Sequence, residues 1–484
     1  MGFSRRAFIG GVAAAIGSGA GRAANMTDGA TNVSGAPRAG AAGGASVVVV
    51  GGGPAGVCAA VAAARNGADV LVVEQGNCLG GMGTQGLVGP FMTCYDKSGE
   101  VQIIRGLFDE IVRRMVAIGG AIHPREVRAG TSFAAWHVPG HDHCTPFEPE
   151  ALKFVLDDLC REAGVKVLYH ATFMAPVMEG DRIVGVDVFT KAGSRRIAAK
   201  TVIDATGDGD VAFRAGVPCE LGDPARGGAM QPATMFFRIG NLPEEAVETV
   251  RRQYPKDILC FKTLLKKAKA DGKWHIPRPH INIYRSVKPD EWFVNVSRLN
   301  GVNAVDPQSF SDAEEAGRRQ VREIMAFFRE YVPGAQDVRL LCTASTIGIR
   351  ESRHVAGEYR LDKDDVISGR VPSDSVFLCS SSIDLHGGKG ASGTLYLTIK
   401  DGNWYGVPYR CLVPKKVDNL LVAGRCVSAS SVAAAAIRVM PPCMAMGEAA
   451  GTAAALALKA NVAPRALDAA TLVARLKRQG VFLG

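Results

Sequence analysis

The chain has 484 residues, 47% hydrophobic and 21% charged, close to an ordinary globular protein, which excludes a disordered chain. Its 56 basic and 47 acidic residues leave a formal charge of +9 with no aromatic-interleaved basic stripe, so nucleic acid is not an expected partner. The twelve cysteines contain no C-x-x-C pair, which removes the common zinc, ferredoxin and thioredoxin signatures.

Ser4-Arg5-Arg6-Ala7-Phe8-Ile9-Gly10 opens the chain and small apolar residues follow to about Gly21. That run is too short and too rich in glycine for a spanning helix, which needs about 20 strongly apolar residues, so no stable membrane span is expected. The arginine pair and the following Phe8 resemble a twin-arginine export signal over residues 1–24. The resemblance implies the twin-arginine export machinery as a partner and a periplasmic or secreted destination. It also implies a protein that folds, often around a cofactor, before export. Residues 25–45, mostly Gly, Ala, Ser and Thr, read as a flexible linker.

Val47-Val48-Val49-Val50 predicts a strand buried on both faces. It runs into Gly51-Gly52-Gly53-Pro54-Ala55-Gly56, a G-x-G-x-x-G turn, then a helical pattern, then a second strand ending at Glu74. Gly51 permits the tight turn, Gly53 lets backbone approach a pyrophosphate, and Gly56 allows close helix–strand packing. Pro54 and Ala55 open the helix, whose unpaired N–H groups and dipole suit phosphate. Glu74 is placed to accept two ribose hydroxyls. Strand, turn, helix, strand and acid in this order predict a dinucleotide site.

Three further elements narrow it. Gln75 to Thr84 holds a second glycine turn with Gly81 and Gly83; Ala205-Thr206-Gly207 follows an apolar strand; Leu420 to Arg425 is a third strand–glycine element. This set resembles flavoproteins of the glutathione-reductase type. Within them, Ile347 to Arg353, Val407 to Pro414 and Ile437 to Gly447 are similar to motifs of a bacterial FAD-dependent oxidoreductase family, over residues 46 to about 460. The resemblance implies FAD, held by Gly51, Gly53, Pro54, Ala55, Gly56, Glu74, Gln75, Gly81, Gly83, Thr84, Ala205, Thr206, Gly207, Gly424, Arg425, Arg438 and Met440. One departure is Arg425, where many relatives carry the Asp that holds the ribityl chain. No flavin-linking motif is present, so FAD is expected to be non-covalent.

The expected fold class is α/β: a Rossmann-like FAD-binding domain, a parallel sheet with helices plus a small β-sheet, with an inserted α+β substrate or cap domain. The boundaries read as 46–218 and 341–484 for the FAD-binding parts and 219–340 for the cap. Pro149 to Ala163 predicts a helix stopped by Gly164, and Ser311 to Glu314 predicts a capping box opening a helix that ends at Tyr331.

With one glycine fingerprint there is no second, nicotinamide site. The expected function is exchange of a hydride between flavin and a small organic substrate, with oxygen, a quinone or a carrier protein as the other redox partner. An exported flavin-loaded electron carrier or binding protein without turnover is the alternative. His386 is the candidate base, since Asp384 two residues before it shares one face of an extended segment. Arg350, Arg353 and Tyr409, in the matched motifs, complete the catalytic candidates. His137, His141, His143 and Cys144 match no standard metal spacing, so no metal is expected.

Overall fold

The computed structural model describes residues 44–92, 94–137, 142–257, 261–387 and 393–484. The expected signal, the linker to residue 43, and His141 lie outside the described residues.

The fold is mixed α/β, built on a Rossmann-like sheet. Strand Ala45–Val50 begins at the last residue expected of the linker and pairs in parallel with Val70–Val73 on one side and Gly193–Asp204 on the other. Lys166–Leu168 extends the sheet beyond Val70–Val73, and Leu420–Val422 joins Gly193–Asp204 in parallel. The valines at 47–50 are buried, as a strand covered on both faces requires.

Strand Gly193–Asp204 belongs to two sheets. Its first half alternates exposed Arg and Lys with buried Ile197 and pairs antiparallel with Arg182–Thr190, which pairs with Thr172–Glu179. Its second half, Thr201 to Asp204, is continuously buried and joins the parallel sheet. The change from alternating to continuous apolar pattern marks the handover.

A second, antiparallel sheet runs in the order Arg339–Thr343, Phe237–Gly240, Trp292–Asn295, Asn282–Arg285. Helix Pro307–Tyr331 contributes Val321, Ile324 and Phe328 to its core. That core also takes in Leu87 and Trp136 before it and Ile347 and Ile349 after it. The helix starts four residues before the capping box expected at Ser311. Asp306 caps it instead, accepting from Ser309 N–H at 2.7 Å, and Pro307 opens the first turn. Glu314, largely covered, accepts from Ile347 N–H and pairs with Arg318.

Two contacts tie the layers together. Helix Pro54–Arg65 lies against helix Met440–Ala460, where a Cβ on Gly447 or Gly451 would stand 2.0 Å from the carbonyl oxygen of Ala55 or Ala59. The absence of side chains there brings both helix N-termini to one cavity. Elsewhere Arg238 of the second sheet, buried, pairs with Glu148 at 2.8 Å and Glu291 at 2.7 Å. Glu148 stands at the N-cap position of helix Pro149–Ala163, so the pair joins that helix to the second sheet. Breaking such a buried pair on one side costs about 3–5 kcal/mol.

Candidate active site

One cavity of about 1090 Å³ is lined by the glycine turns at one end and by Asp384, His386 and Arg350 at the other. At the first end, Gly51 has φ 100°, and a Cβ there would be 2.4 Å from the Ala205 carbonyl oxygen. A Cβ on Gly56 would be 1.8 Å from the Gly51 oxygen. A Cβ on Gly53, by contrast, would meet no protein atom within 4 Å, and Gly53 lines the cavity, so its backbone is open to a bound group there. Helix Pro54–Arg65 has neither a side-chain cap nor an acid in its first turn, and the same holds for Met440–Ala460. The first helix end brings unpaired N–H groups to the cavity, a setting for an anion, while the second, beginning Met440-Pro441-Pro442, offers its dipole but no N–H from the two prolines.

Glu74 is buried, with Gly52 N–H donating to Oε2 at 2.7 Å and Gly76 N–H donating to Oε1 at 2.6 Å. Each oxygen keeps a lone pair for a hydroxyl. Gln75, Gly81, Ala205, Thr206, Gly207, Gly424, Arg425, Arg438 and Met440 all line the cavity. Gly83 and Thr84 do not. Gly83 makes room for Leu152 and Met440, and Thr84 Oγ1 donates to the Leu79 carbonyl at 2.7 Å, so both shape the turn from behind.

Arg425 reaches across to Asp208 at 2.8 Å, and a Cβ on Gly207 would be 2.8 Å from its guanidinium carbon. The carboxylate missing at position 425 is thus present on this wall as Asp208, which sequence reading passed over within the Ala-Thr-Gly turn. Ser352 Oγ donates to it at 2.6 Å.

At the other end, strand Ile383–His386 pairs with Thr394–Leu397. His386 Nε2 stands 3.2 Å from Asp384 Oδ2, and Nδ1 is 3.1 Å from Thr394 Oγ1. Burial works to raise the Asp384 pKa, but His386, Arg438 and Arg350 outweigh it and hold the carboxyl far below its usual range. Burial, then the Arg350 charge, push His386 down to about 3, with Asp384 opposing. The titration expected of a histidine between pH 6 and 8 is therefore displaced. With Asp384 ionised, Nε2 carries the proton and Nδ1 offers its lone pair.

Arg350 is half-buried, and its Nη1 donates to Pro232 O at 2.6 Å and Thr234 Oγ1 at 2.7 Å. Arg438 donates to the Asp384 carbonyl at 3.2 Å. Arg353 is not part of this end. It pairs with Asp210 at 2.8 Å and lies over the Phe213 ring. Tyr409 is also elsewhere, its hydroxyl donating to Pro464 O at 2.8 Å in the core. Their positions depend on partners distant in sequence. Cys443 lines the wall as a neutral thiol, pushed up to about 12 chiefly by burial.

The second sheet and the loop before it add Arg278, His280, Tyr284 and Asn295 to the wall. The signal for two of them is legible afterwards in Pro277-Arg278-Pro279-His280, polar side chains on a proline-stiffened segment. His280 is pushed down to about 3, first by burial and then by Arg278. His143 stacks on Tyr95 with ring centres 3.8 Å apart, while His137 stands 3.2 Å from Asn282. Among the described residues no group of three metal-ligating side chains occurs.

A family model described as FAD dependent oxidoreductase matches residues 46–476. No curated protein sequence matches the chain. Among solved structures, a geranylgeranyl bacteriochlorophyll reductase-like protein from Thermoplasma acidophilum is similar at 13% identity, covering 91% of this chain and 84% of that one, with a TM-score of 0.40. L-proline dehydrogenase from P. horikoshii is similar at 13% identity over 87% and 94% of the two chains, TM-score 0.40. OxyS anhydrotetracycline hydroxylase from Streptomyces rimosus is similar at 13% identity over 90% and 65%, TM-score 0.44.

Proposed function

The chain belongs to the FAD-dependent oxidoreductase family, with FAD as cofactor, and from this we propose that it dehydrogenates, or in reverse reduces, a small organic molecule. The cavity supports this reading by joining the dinucleotide cradle to the Asp384–His386 pair in one space. FAD, when bound, supplies the hydride acceptor or donor. Gly53 and the end of helix Pro54–Arg65 would hold its pyrophosphate, Glu74 would accept from the adenosine ribose, and Asp208 would accept from the hydroxyls of the ribityl chain. His386 takes the substrate's O–H or N–H proton at Nδ1, with Thr394 Oγ1 beside it and Asp384 fixing the ring from the other nitrogen. Electrons leave to oxygen, a quinone or a carrier protein, since only one dinucleotide fingerprint is present.

Membership in a family of enzymes sets aside the carrier without turnover. Glutathione-reductase-like placement of the flavin and export through residues 1–24 belong to the same proposal. Rapid mixing of the oxidised holoprotein with panels of metabolites tests it. One compound should bleach the flavin band within the mixing experiment. A flavin that stays oxidised with every compound, and once reduced chemically returns electrons to none, would refute it.

A further inference from the structure

Resting on the oxidoreductase reading above, we propose that the substrate is an organic anion whose carboxylate is held by Arg278 and Arg350. Three arginines, Arg278, Arg350 and Arg438, line the cavity with Asp384, while two other acids of the wall are occupied locally, Asp96 by Ser98 Oγ and the N–H groups of Glu100 and Val101 and Asp142 by Ala129 N–H. Asp384 is already shared by His386 at 3.2 Å and Arg438 at 3.9 Å. The neighbouring acids are engaged elsewhere. Glu351 accepts from Gln231 N–H and faces His354, and Asp208 and Asp210 pair with Arg425 and Arg353. Residues 138–141 and 388–392, outside the described set, contain no Asp or Glu.

By hydrogen bond Arg278 and Arg350 have neutral partners only, and Asp384, the acid whose charge reaches both, is shared with His386 and Arg438. Arg278 Nη1 donates to Asn295 Oδ1 at 3.3 Å, and its Nε is buried with no acceptor. Arg350 uses Nη1 on a backbone carbonyl and a threonine hydroxyl. Burial comes first in lowering both pKa values, Arg278 to about 10; Arg298 lowers Arg278 further against Tyr284 and Asp384, and Arg438 and Arg278 lower Arg350 against Asp384. One carboxylate does not balance three guanidiniums, and uncompensated charge in a buried wall costs several kcal/mol, so the remaining balance is to be sought on the ligand. The flavin pyrophosphate does not supply it, because the glycine turns and first helix end on the opposite side of the cavity account for that group. Planar forks with free N–H donors, reaching in from separate segments, match a carboxylate.

The test titrates FAD-loaded protein with benzoate, succinate and glycolate and with benzamide, succinamide and glycolamide. Binding is read by perturbation of the flavin absorption band and by calorimetry. At least one acid should bind about tenfold or more tighter than its amide. Arg278→Met should remove about tenfold or more of that acid's affinity and leave the amide unchanged, while Arg278→Lys restores part of it. FAD content of each variant reports an intact fold. Equal affinity of every acid and its amide, no binding by any acid, or unchanged acid affinity in Arg278→Met overturns the assignment. Loss of FAD from the unmodified protein would instead refute the oxidoreductase reading, and calorimetry would still compare acid with amide.

Discussion

Gly53 separates a folding role from a binding role within one turn. A Cβ on Gly51 or Gly56 collides with backbone, whereas a Cβ on Gly53 meets open cavity. Gly53→Leu should therefore fold with the melting temperature of the FAD-stripped parent and retain no FAD; a full complement of FAD in that variant would contradict the cradle. His386 carries the second prediction at this scale. His386→Gln should keep FAD and slow flavin reduction by about a hundredfold or more, measured by stopped flow. A base with its pKa lowered to about 3 is unprotonated above that value. The His386-dependent step should accordingly be flat from pH 5 to 8, and an inflection near pH 6.5 that vanishes in the variant would show the site to be wetter than the structure has it. Asp384 and His386 were legible because two residues on a strand must share a face. Arg353 and Tyr409 were not, because Asp210, Phe213 and Pro464, which claim them, are set by tertiary packing.

Between elements, the helix pair at the cavity depends on a buried acid as well as on glycines. Glu448, on helix Met440–Ala460, accepts from Leu107 N–H at 2.9 Å at the start of helix Leu107–Ala117. Burial raises its pKa from 4.5 to about 7 against the hydrogen bonds that favour its ionised form. The folded protein thus binds a proton that the unfolded chain has lost above pH 4.5, so stability is full below that pH and falls as pH rises through 7. Glu448→Gln should flatten this slope between pH 5 and 8, recovering on the order of 2 kcal/mol at pH 8, with melting temperature as the measure. Parallel slopes in both proteins would assign the pH dependence to other groups. The parallel strands, the first helix and the Pro149–Ala163 helix were readable from apolar runs and glycine stops. The start of helix Pro307–Tyr331 was misplaced because Ser311 and Glu314 have the spacing of a capping box, while Asp306-Pro307 supplies an earlier and sufficient cap. The Arg278 end of the cavity was missed for a different reason: only folding brings the second sheet's loop over the strand that carries His386.

Over the whole molecule, cofactor and address bear on each other. We propose that the glycine turns, helix end and carboxylates of the cavity wall hold FAD without a covalent link, so acid precipitation should release all of the flavin into the supernatant; yellow colour left in the pellet would reveal a bond to the chain. A flavin held this way must be in place before the protein leaves the compartment where FAD is made. An export route that moves folded chains meets that requirement, and Arg5-Arg6 with Phe8 resembles its signal. No helix among the described residues is long and apolar enough to cross a membrane. Changing Arg5 and Arg6 together to Lys keeps the charge but loses the planar guanidinium forks by which a carboxylate-bearing receptor could recognise them. The Arg5→Lys, Arg6→Lys variant should accumulate in the cytoplasm, folded and FAD-loaded, when cell fractions are assayed for the flavoprotein. Equal delivery of variant and parent to the periplasm would show that residues 1–24 do not act through this motif, while leaving the cavity and its chemistry untouched.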